Sequence, residues 1–181
     1  MIRVLTAVLI LIAAPALAQS EAEPPAAPPT EPPMTLSRMA EIIFAIDPEA
    51  QSAGNTFQMI IDDVPVLIVT DPLADRMRAM VPIRSTEGMT AEEVMRVLQA
   101  NFDTALDARY AVARGRLWGT FIHPLSPLEK DQLISGLGQT VNIAKTYGSL
   151  YTGGALTFGD GDSAQLHREL IDDLLNKAEE I

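Results

Sequence analysis

The run VPVLIVT at residues 64–70 constrains the fold more than any other stretch of the chain. Apolar side chains occupy both alternating positions of this strand, which is typical of a strand in the middle of a sheet. In the alternating run before it, Phe57, Met59 and Ile61 share one face, and an acidic turn at 62–63 joins the two strands. The sequence therefore predicts a hairpin whose second strand lies centrally.

Two further elements extend this hairpin. A third strand is predicted at 76–83, with an apolar inward face and with Arg76 and Arg78 pointing outward. Before the hairpin, Thr35 is placed to cap a helix that ends at Asp47, and four apolar residues recur along it at helical spacing: Leu36, Met39, Ile43 and Ile46. The chain is thus predicted to begin its fold with one helix and three antiparallel strands.

A second helix is predicted after the pattern Thr90-Ala91-Glu92-Glu93, which is a capping box. Its apolar stripe comprises Met95, Leu98, Phe102, Ala105 and Leu106. We expect Met95, Leu98 and Phe102 to cover the sheet, and Val94 and Val97 to lie nearer a partner.

The segment at 107–125, DARYAVARGRLWGTFIHPL, contains the only tryptophan of the chain. Alternation predicts a second hairpin here, with a turn at Arg114-Gly115 and with Trp118 and Phe121 on opposite faces. The arginines fit a solvated face. The alternative is that Arg114 and Arg116 bind an anion or a carboxylate, because arginine favours bidentate carboxylate recognition. We take Arg114, Arg116 and Trp118 as candidate binding residues.

A third helix is predicted from Ser126-Pro127-Leu128-Glu129, with proline at the first helical position, to about residue 147. Its apolar residues again recur at helical spacing: Ile134, Leu137, Val141 and Ala144. Gly136 and Gly138 are expected to let another helix or the sheet approach closely.

A Gly-rich linker at 152–161 precedes a last acidic amphipathic helix at 162–181, begun by Asp162. Its apolar stripe comprises Leu166, Leu170, Leu174 and Ala178. The stripe either docks on its own domain, which we favour, or inserts into a partner's groove. Under the second alternative, Leu166, Leu170 and Leu174 are candidate binding residues.

The first eighteen residues, MIRVLTAVLILIAAPALA, have the basic start, short apolar run and small-residue cleavage site of a secretory signal peptide. Cleavage after Ala18 predicts a periplasmic or secreted protein with no membrane span in the mature chain. Residues 19–34 read as a Pro-rich disordered linker, and one domain follows at 35–151. The sequence has no cysteine, so the fold depends on its packed core.

No pattern for catalysis, a cofactor or a metal emerges. The histidines, His123 and His167, are not linked by any motif, and the passage that begins at Asp160 lacks the ligands of a calcium loop. The net charge of −11 makes nucleic acid and anionic lipid poor partners. We therefore expect a protein that is not an enzyme and that has no cofactor.

The element order α-βββ-α-ββ-α, the turn at Arg114-Gly115 and the S-P-L-E start of the third helix together resemble the YbjN-like family. That family shares the fold of type III secretion chaperones such as the Tir chaperone group. The resemblance covers about residues 36–150 and implies an α+β fold, a non-enzymatic protein-binding habit and pairing through the second helix or neighbouring strands. The signal peptide and the C-terminal amphipathic helix depart from it.

Together these features predict an exported protein-binding, chaperone-like or regulatory module of the bacterial envelope, with a protein partner and a homodimeric state. The alternative is a periplasmic sensor of small molecules or peptides with a pocket between sheet and helices. An exposed apolar patch larger than a few hundred Å² favours the first. An enclosed pocket of roughly 300 Å³ or more with convergent polar groups favours the second.

Overall fold

The structure is a computed structural model that describes residues 31–103, 106–148 and 163–179. Four helices are present in these ranges: α1 (Leu36–Ile46), α2 (Ala91–Asp103), α3 (Lys130–Lys145) and α4 (Ser163–Ala178). The strands are β1 (Gln51–Ala53), β2 (Thr56–Ile61), β3 (Val64–Asp71), β4 (Arg76–Ser85), β5 (Arg109–Ala113) and β6 (Arg116–Pro124). They form one antiparallel sheet in the order β1-β2-β3-β4-β6-β5. The predicted α+β class is confirmed.

One face of this sheet carries the main core. Alternate residues of β2, β3, β4 and β6 are buried there together with apolar residues of α1, α3 and α4. Helix α3 approaches the sheet closely at Gly136, where an added Cβ would stand only 2.5 Å from the Phe121 ring. The glycine at 136 therefore permits the close approach that the sequence predicted.

Helix α4 docks on its own domain. Leu174 and Ala178 belong to the main core, and a Cβ at Gly138 of α3 would stand 2.8 Å from Cγ1 of Ile171. Lys130 Nζ also donates a hydrogen bond of 3.1 Å to the carbonyl of Ala178. The docked alternative predicted for this helix is the one that the structure adopts.

Helix α2 packs on the far end of the same face, over a smaller cluster. Val97 and Ala100 are buried there against Tyr110, Leu117 and Ile143. The Asn101 side chain accepts a hydrogen bond of 2.7 Å from the backbone N–H of Tyr110 and donates one of 3.0 Å to its carbonyl. This amide thereby pairs with the edge strand β5 much as a neighbouring strand would.

The predicted orientation of α2 is wrong. Val97 is 4% exposed, whereas Met95, Leu98 and Phe102 are 59%, 54% and 77% exposed. The small residues Val97 and Ala100 fit closely under the helix beside the Asn101 contact, and the larger apolar stripe faces away. Ala105, which was placed in this stripe, lies outside the described residues.

The opposite face of the sheet has no described helix on it, since all four pack on the first face. On β3, Val66 and Ile68 are buried, while Leu67 is half-buried and Val69 is 38% exposed. Strand β3 pairs with a neighbour on each side, as predicted. The second apolar face of β3 is nevertheless not covered by a described helix. We call this side of the sheet, which includes Leu67 and Val69, the open face.

Two boundaries differ from the prediction. The short strand β1 was missed, because its three residues are all exposed and carry no apolar alternation. Helix α3 begins at Lys130 rather than near Ser126, with Glu129 as its N-cap and a capping box to Gln132. Ser126 instead donates its backbone N–H and its hydroxyl to the Asp75 carboxylate, at 2.7 and 2.9 Å.

Candidate binding surfaces

The first candidate surface is the outer side of α2. Met95, Leu98 and Phe102 are spaced three and four residues apart, which places them on one side of a helix. Each is more than half exposed. Leu106, just beyond the helix, is 50% exposed as well. We call Met95, Leu98 and Phe102 the α2 stripe.

The second surface is the open face of the sheet, where strand register places apolar side chains side by side. Leu67 of β3 pairs with Met80 of β4, and Met80 pairs with Thr120 of β6. In the next row, Val69 pairs with Arg78, and Arg78 pairs with Ile122. Trp118 lies two residues before Thr120 on the same face. An apolar band thus crosses three strands.

Arginines lie within this apolar band and around it. Arg76 and Arg78 point outward from β4, and Arg109 lies beside Thr120 across the β5–β6 pair. Arg116 is on the same face as Trp118, with its Cζ 6.0 Å from the centroid of the indole ring. Within the described residues, no carboxylate lies within 4.0 Å of the guanidinium of Arg78, Arg109 or Arg116.

The candidate residues of the second hairpin fall into two places. Arg116 and Trp118 lie together on the open face, and Trp118 Nε1 donates a hydrogen bond of 3.0 Å to the carbonyl of Ala113. Arg114 occupies the turn, where its φ of 52° and that of 69° at Gly115 fit a tight hairpin connection. The predicted hairpin is confirmed, and two of its three candidates share one surface.

Two of the three leucine candidates of the last helix pack against the main core. Leu174 is 1% exposed and Leu170 is partly buried against the same core. Leu166 falls within α4, but its side chain lies outside the described residues, as does that of His167. Docking of α4 therefore removes Leu170 and Leu174 from the accessible surface.

Three carboxyl groups have lowered pKa values, and each of them holds a chain segment in place. A backbone N–H of Lys130 is the main cause for Glu31, Ser126 is the cause for Asp75, and the N–H of Thr90 is the cause for Glu93. The Thr90–Glu93 capping box is the predicted one, with bonds of 2.8 and 3.1 Å. None of these three groups lies on the open face.

The grooves of the described part open to solvent. One of about 520 Å³ lies between β6 and the start of α3, and its lining includes Asp107, Arg109, His123 and Asp131. His123 stacks on Phe121 with ring centroids 5.9 Å apart. Another, of about 410 Å³, lies between the end of β2 and α4. The first groove thus has both acidic and basic side chains in its lining.

Among the described residues, no group of three or more histidine and acidic side chains is arranged to hold a metal ion. In the same part of the chain, no helix combines the length and the apolar character needed to cross a bilayer.

Sequence reasoning missed most of the open face. Leu67 and Val69 were recognised as apolar, but their position at the centre of a sheet was taken to explain them. Arg78 and Met80 were placed on a strand without any link to Trp118, because the pairing of β4 with β6 joins distant parts of the chain. The one available signal was the coincidence of outward arginines on two predicted strands.

Solved structures with a weak likeness to this chain include chains of two complexes. A chain of the ExsC–ExsE complex is 11% identical with a TM-score of 0.49, covering 67% of this chain and 100% of that chain. A chain of the HopA1–SchA chaperone–effector complex is 13% identical with a TM-score of 0.45, covering 60% and 95%. No protein-family model and no curated protein matches the sequence. The YbjN-like resemblance therefore stays a prediction.

Proposed function

We propose that this chain is a non-enzymatic, chaperone-like module that binds other proteins. The observation that carries the proposal is the exposure of apolar side chains on two broad surfaces, the α2 stripe and the open face. Extended exposed apolar surfaces are typical of protein-binding sites, because a soluble monomer gains nothing by leaving them in water. The described grooves, by contrast, open to solvent and do not enclose a cavity.

The proposed place of action is the bacterial envelope. The signal-peptide pattern of residues 1–18 supports export, and the absence of cysteine suits a fold that does not depend on the redox state of its compartment. A fusion of residues 1–33 to a reporter active only outside the cytoplasm tests this, with a mature chain that starts at Gln19. A cytoplasmic, uncleaved product would contradict it.

The α2 stripe is proposed as the contact between two copies of the chain. A single exposed helix face can pair with itself across a two-fold axis, because each copy then offers the same apolar side chains. Sedimentation of the chain from residue 19 at tens of micromolar should show a dimer, and Leu98→Lys with Phe102→Lys should give a monomer. Leu73→Lys is the matched control, because Leu73 is fully exposed in the β3–β4 turn.

Protein binding itself is tested by capture from an envelope extract, followed by identification of the retained proteins. The wild-type chain should retain a reproducible partner that a melted sample and an unrelated acidic protein do not retain. The same chain should also slow the aggregation of a partly unfolded client if it acts as a chaperone. Failure in both assays would remove the proposed function.

A sensor of small molecules or peptides is the second candidate function. The groove beside His123 favours it, because Asp107, Arg109 and Asp131 offer charges of both signs to a zwitterionic ligand. Amino acids and short peptides should then raise the melting temperature of the wild-type chain but not that of an Arg109→Ala variant. The absence of any shift at millimolar ligand would count against a sensor.

A further inference from the structure

We infer that the open face binds an acidic amphipathic helix of a protein partner. The inference rests on the proposed protein-binding function and names the surface and the chemistry of the partner. The face presents an apolar band, Leu67, Met80, Trp118 and Ile122, with Arg78 within it and Arg109 and Arg116 at its margins. A helix with an apolar stripe and carboxylates on either side of it matches both parts.

Charge is the first argument. Arg78, Arg109 and Arg116 have no carboxylate within 4.0 Å among the described residues, although the chain has 24 acidic side chains and a net charge of −11. Arg78 and Arg116 lie toward opposite ends of the β4–β6 pair, and Arg109 lies on β5. Arg109 also donates to the carbonyls of Leu106 and Ala108, but a guanidinium has five N–H donors, so all three side chains can still bind a carboxylate. Carboxylates of a partner would supply the missing charge-assisted hydrogen bonds.

Shape is the second argument. Strand β4 has ten residues, or about 33 Å of sheet, and three strand spacings from β3 to β5 give about 14 Å across. A helix of about 18 residues is roughly 27 Å long and 10 Å wide. One such helix fits along the open face, just as α3 fits along the opposite face.

The sheet edges favour a helix over an added strand. At the β5 edge, Asn101 already satisfies both the N–H and the carbonyl of Tyr110. At the other edge, β1 is only three residues long. A partner strand would find few free backbone groups at either edge, so side chains on the open face are the better contact.

The choice of a protein over a polyanionic surface follows from the net charge. Nucleic acid and anionic lipid extend well beyond the arginines and would meet the acidic remainder of the chain, which repels them. A single helix contacts the open face alone. Its carboxylates reach the arginines without approaching the acidic surfaces of α2 and α4.

Three synthetic peptides of 18 residues provide the test. They share one leucine stripe, and their polar positions are glutamate, glutamine or lysine. Binding to the chain from residue 19 is followed by peptide anisotropy and by emission of Trp118, the only tryptophan. The glutamate peptide should bind tightest, lose affinity with added salt and shift the Trp118 emission, because it covers the open face.

Charge reversal supplies the variants. Arg78→Glu with Arg116→Glu should weaken the glutamate peptide about tenfold or more, as expected for two partly exposed ion pairs turned into repulsions. Arg168→Glu is the matched control, because Arg168 is exposed on α4. Melting curves check that each variant folds, and the comparison of glutamate and glutamine peptides needs no variant at all.

Equal binding of the glutamate and glutamine peptides would overturn the inference, as would unchanged affinity in the folded double variant. Anionic vesicles that bind the chain more tightly than the peptide would also overturn it and assign the face to a membrane. If the double variant keeps the envelope partner that wild type captures, the proposed function stands and only this inference fails. If wild type captures nothing and does not slow the aggregation of a client, the proposed function fails first.

Discussion

Helices α3 and α2 both have an apolar stripe, but the stripe of α3 is buried and that of α2 is exposed. Helix α3 crosses the centre of the sheet, and its apolar residues Ile134, Leu137 and Val141 are fully buried. Helix α2 reaches only the edge, where Val97 and Ala100 provide its buried contacts. The contrast shows that an amphipathic pattern alone does not decide whether the apolar stripe of a helix is buried in its own domain.

The largest expected effect is on the α3 side of this comparison. Leu137→Ala should lower the free energy of unfolding by about 2–5 kcal/mol, because it removes a wholly buried side chain and leaves a cavity under the helix. Urea unfolding of the wild-type and variant chains measures it. A loss below about 1 kcal/mol would mean that α3 is not the centre of the core.

The close approach of α3 to the sheet gives the next effect. Gly136→Ala should cost about 1–3 kcal/mol, because the new Cβ would overlap the Phe121 ring. Phe121→Leu should also be destabilising alone, and the double variant should recover part of the loss by making room. Purely additive losses in the double-mutant cycle would contradict the contact.

The attachment of α2 is expected to depend on one amide. Asn101→Ala leaves the N–H and the carbonyl of Tyr110 without these partners, and should cost about 1–2 kcal/mol. Hydrogen exchange should show faster opening of α2 while α3 keeps its protection. Gln99→Ala, an exposed change on the same helix, is the control. Equal effects of the two variants would show that the amide does not hold the helix.

Low pH should weaken the hydrogen bonds that join chain segments through the Asp75 carboxylate, whereas the apolar side chains of the main core do not titrate. Asp75 has a lowered pKa because Ser126 donates to it, so its contribution is present above the ordinary carboxyl value of 3.8 and is lost as pH falls through the folded value. Unfolding of the Asp75→Asn variant should therefore depend less on pH than that of the wild type below about pH 4. Asp172→Asn, at an exposed position of α4, is the control and should retain the wild-type profile.

The comparison of helices also explains how far sequence reasoning reached. Local patterns found the capping box at Thr90, the hairpin turn at Arg114-Gly115 and the glycine contact at Gly136, because each depends on neighbours in sequence or on one close approach. The start of α3 was misplaced because Ser126, a good capping residue, bonds instead to Asp75, which is 51 residues away. Such partners follow only from the tertiary fold.

The candidate surfaces show the same division. Alternation correctly placed Trp118 on the returning strand of the hairpin, but the predicted strand began at Leu117 and left out Arg116. It also joined neither residue to Arg78 and Met80 of β4. That register passes a bulge between Pro82 and Arg84, and no local pattern fixes it. The orientation of α2 was wrong for a related reason. Size and hydrophobicity favoured Met95, Leu98 and Phe102 as core, whereas the edge of the sheet accepts only the smaller Val97 and Ala100.

The smallest expected effect is that of a leucine-to-alanine substitution on α2, the counterpart of Leu137→Ala on α3. Leu98→Ala should change the free energy of unfolding of the monomer by no more than about 0.5 kcal/mol, since the side chain is 54% exposed and leaves no cavity. At concentrations where the chain is a dimer, the same change should lower the melting temperature, because binding to a second copy stabilises only the folded state. Measurements at about 1 and 50 μM separate the two contributions, since dimerisation of modest affinity lies in this range. A large loss at the lower concentration would place Leu98 in the core, and no loss at either would leave the α2 stripe without the proposed second copy.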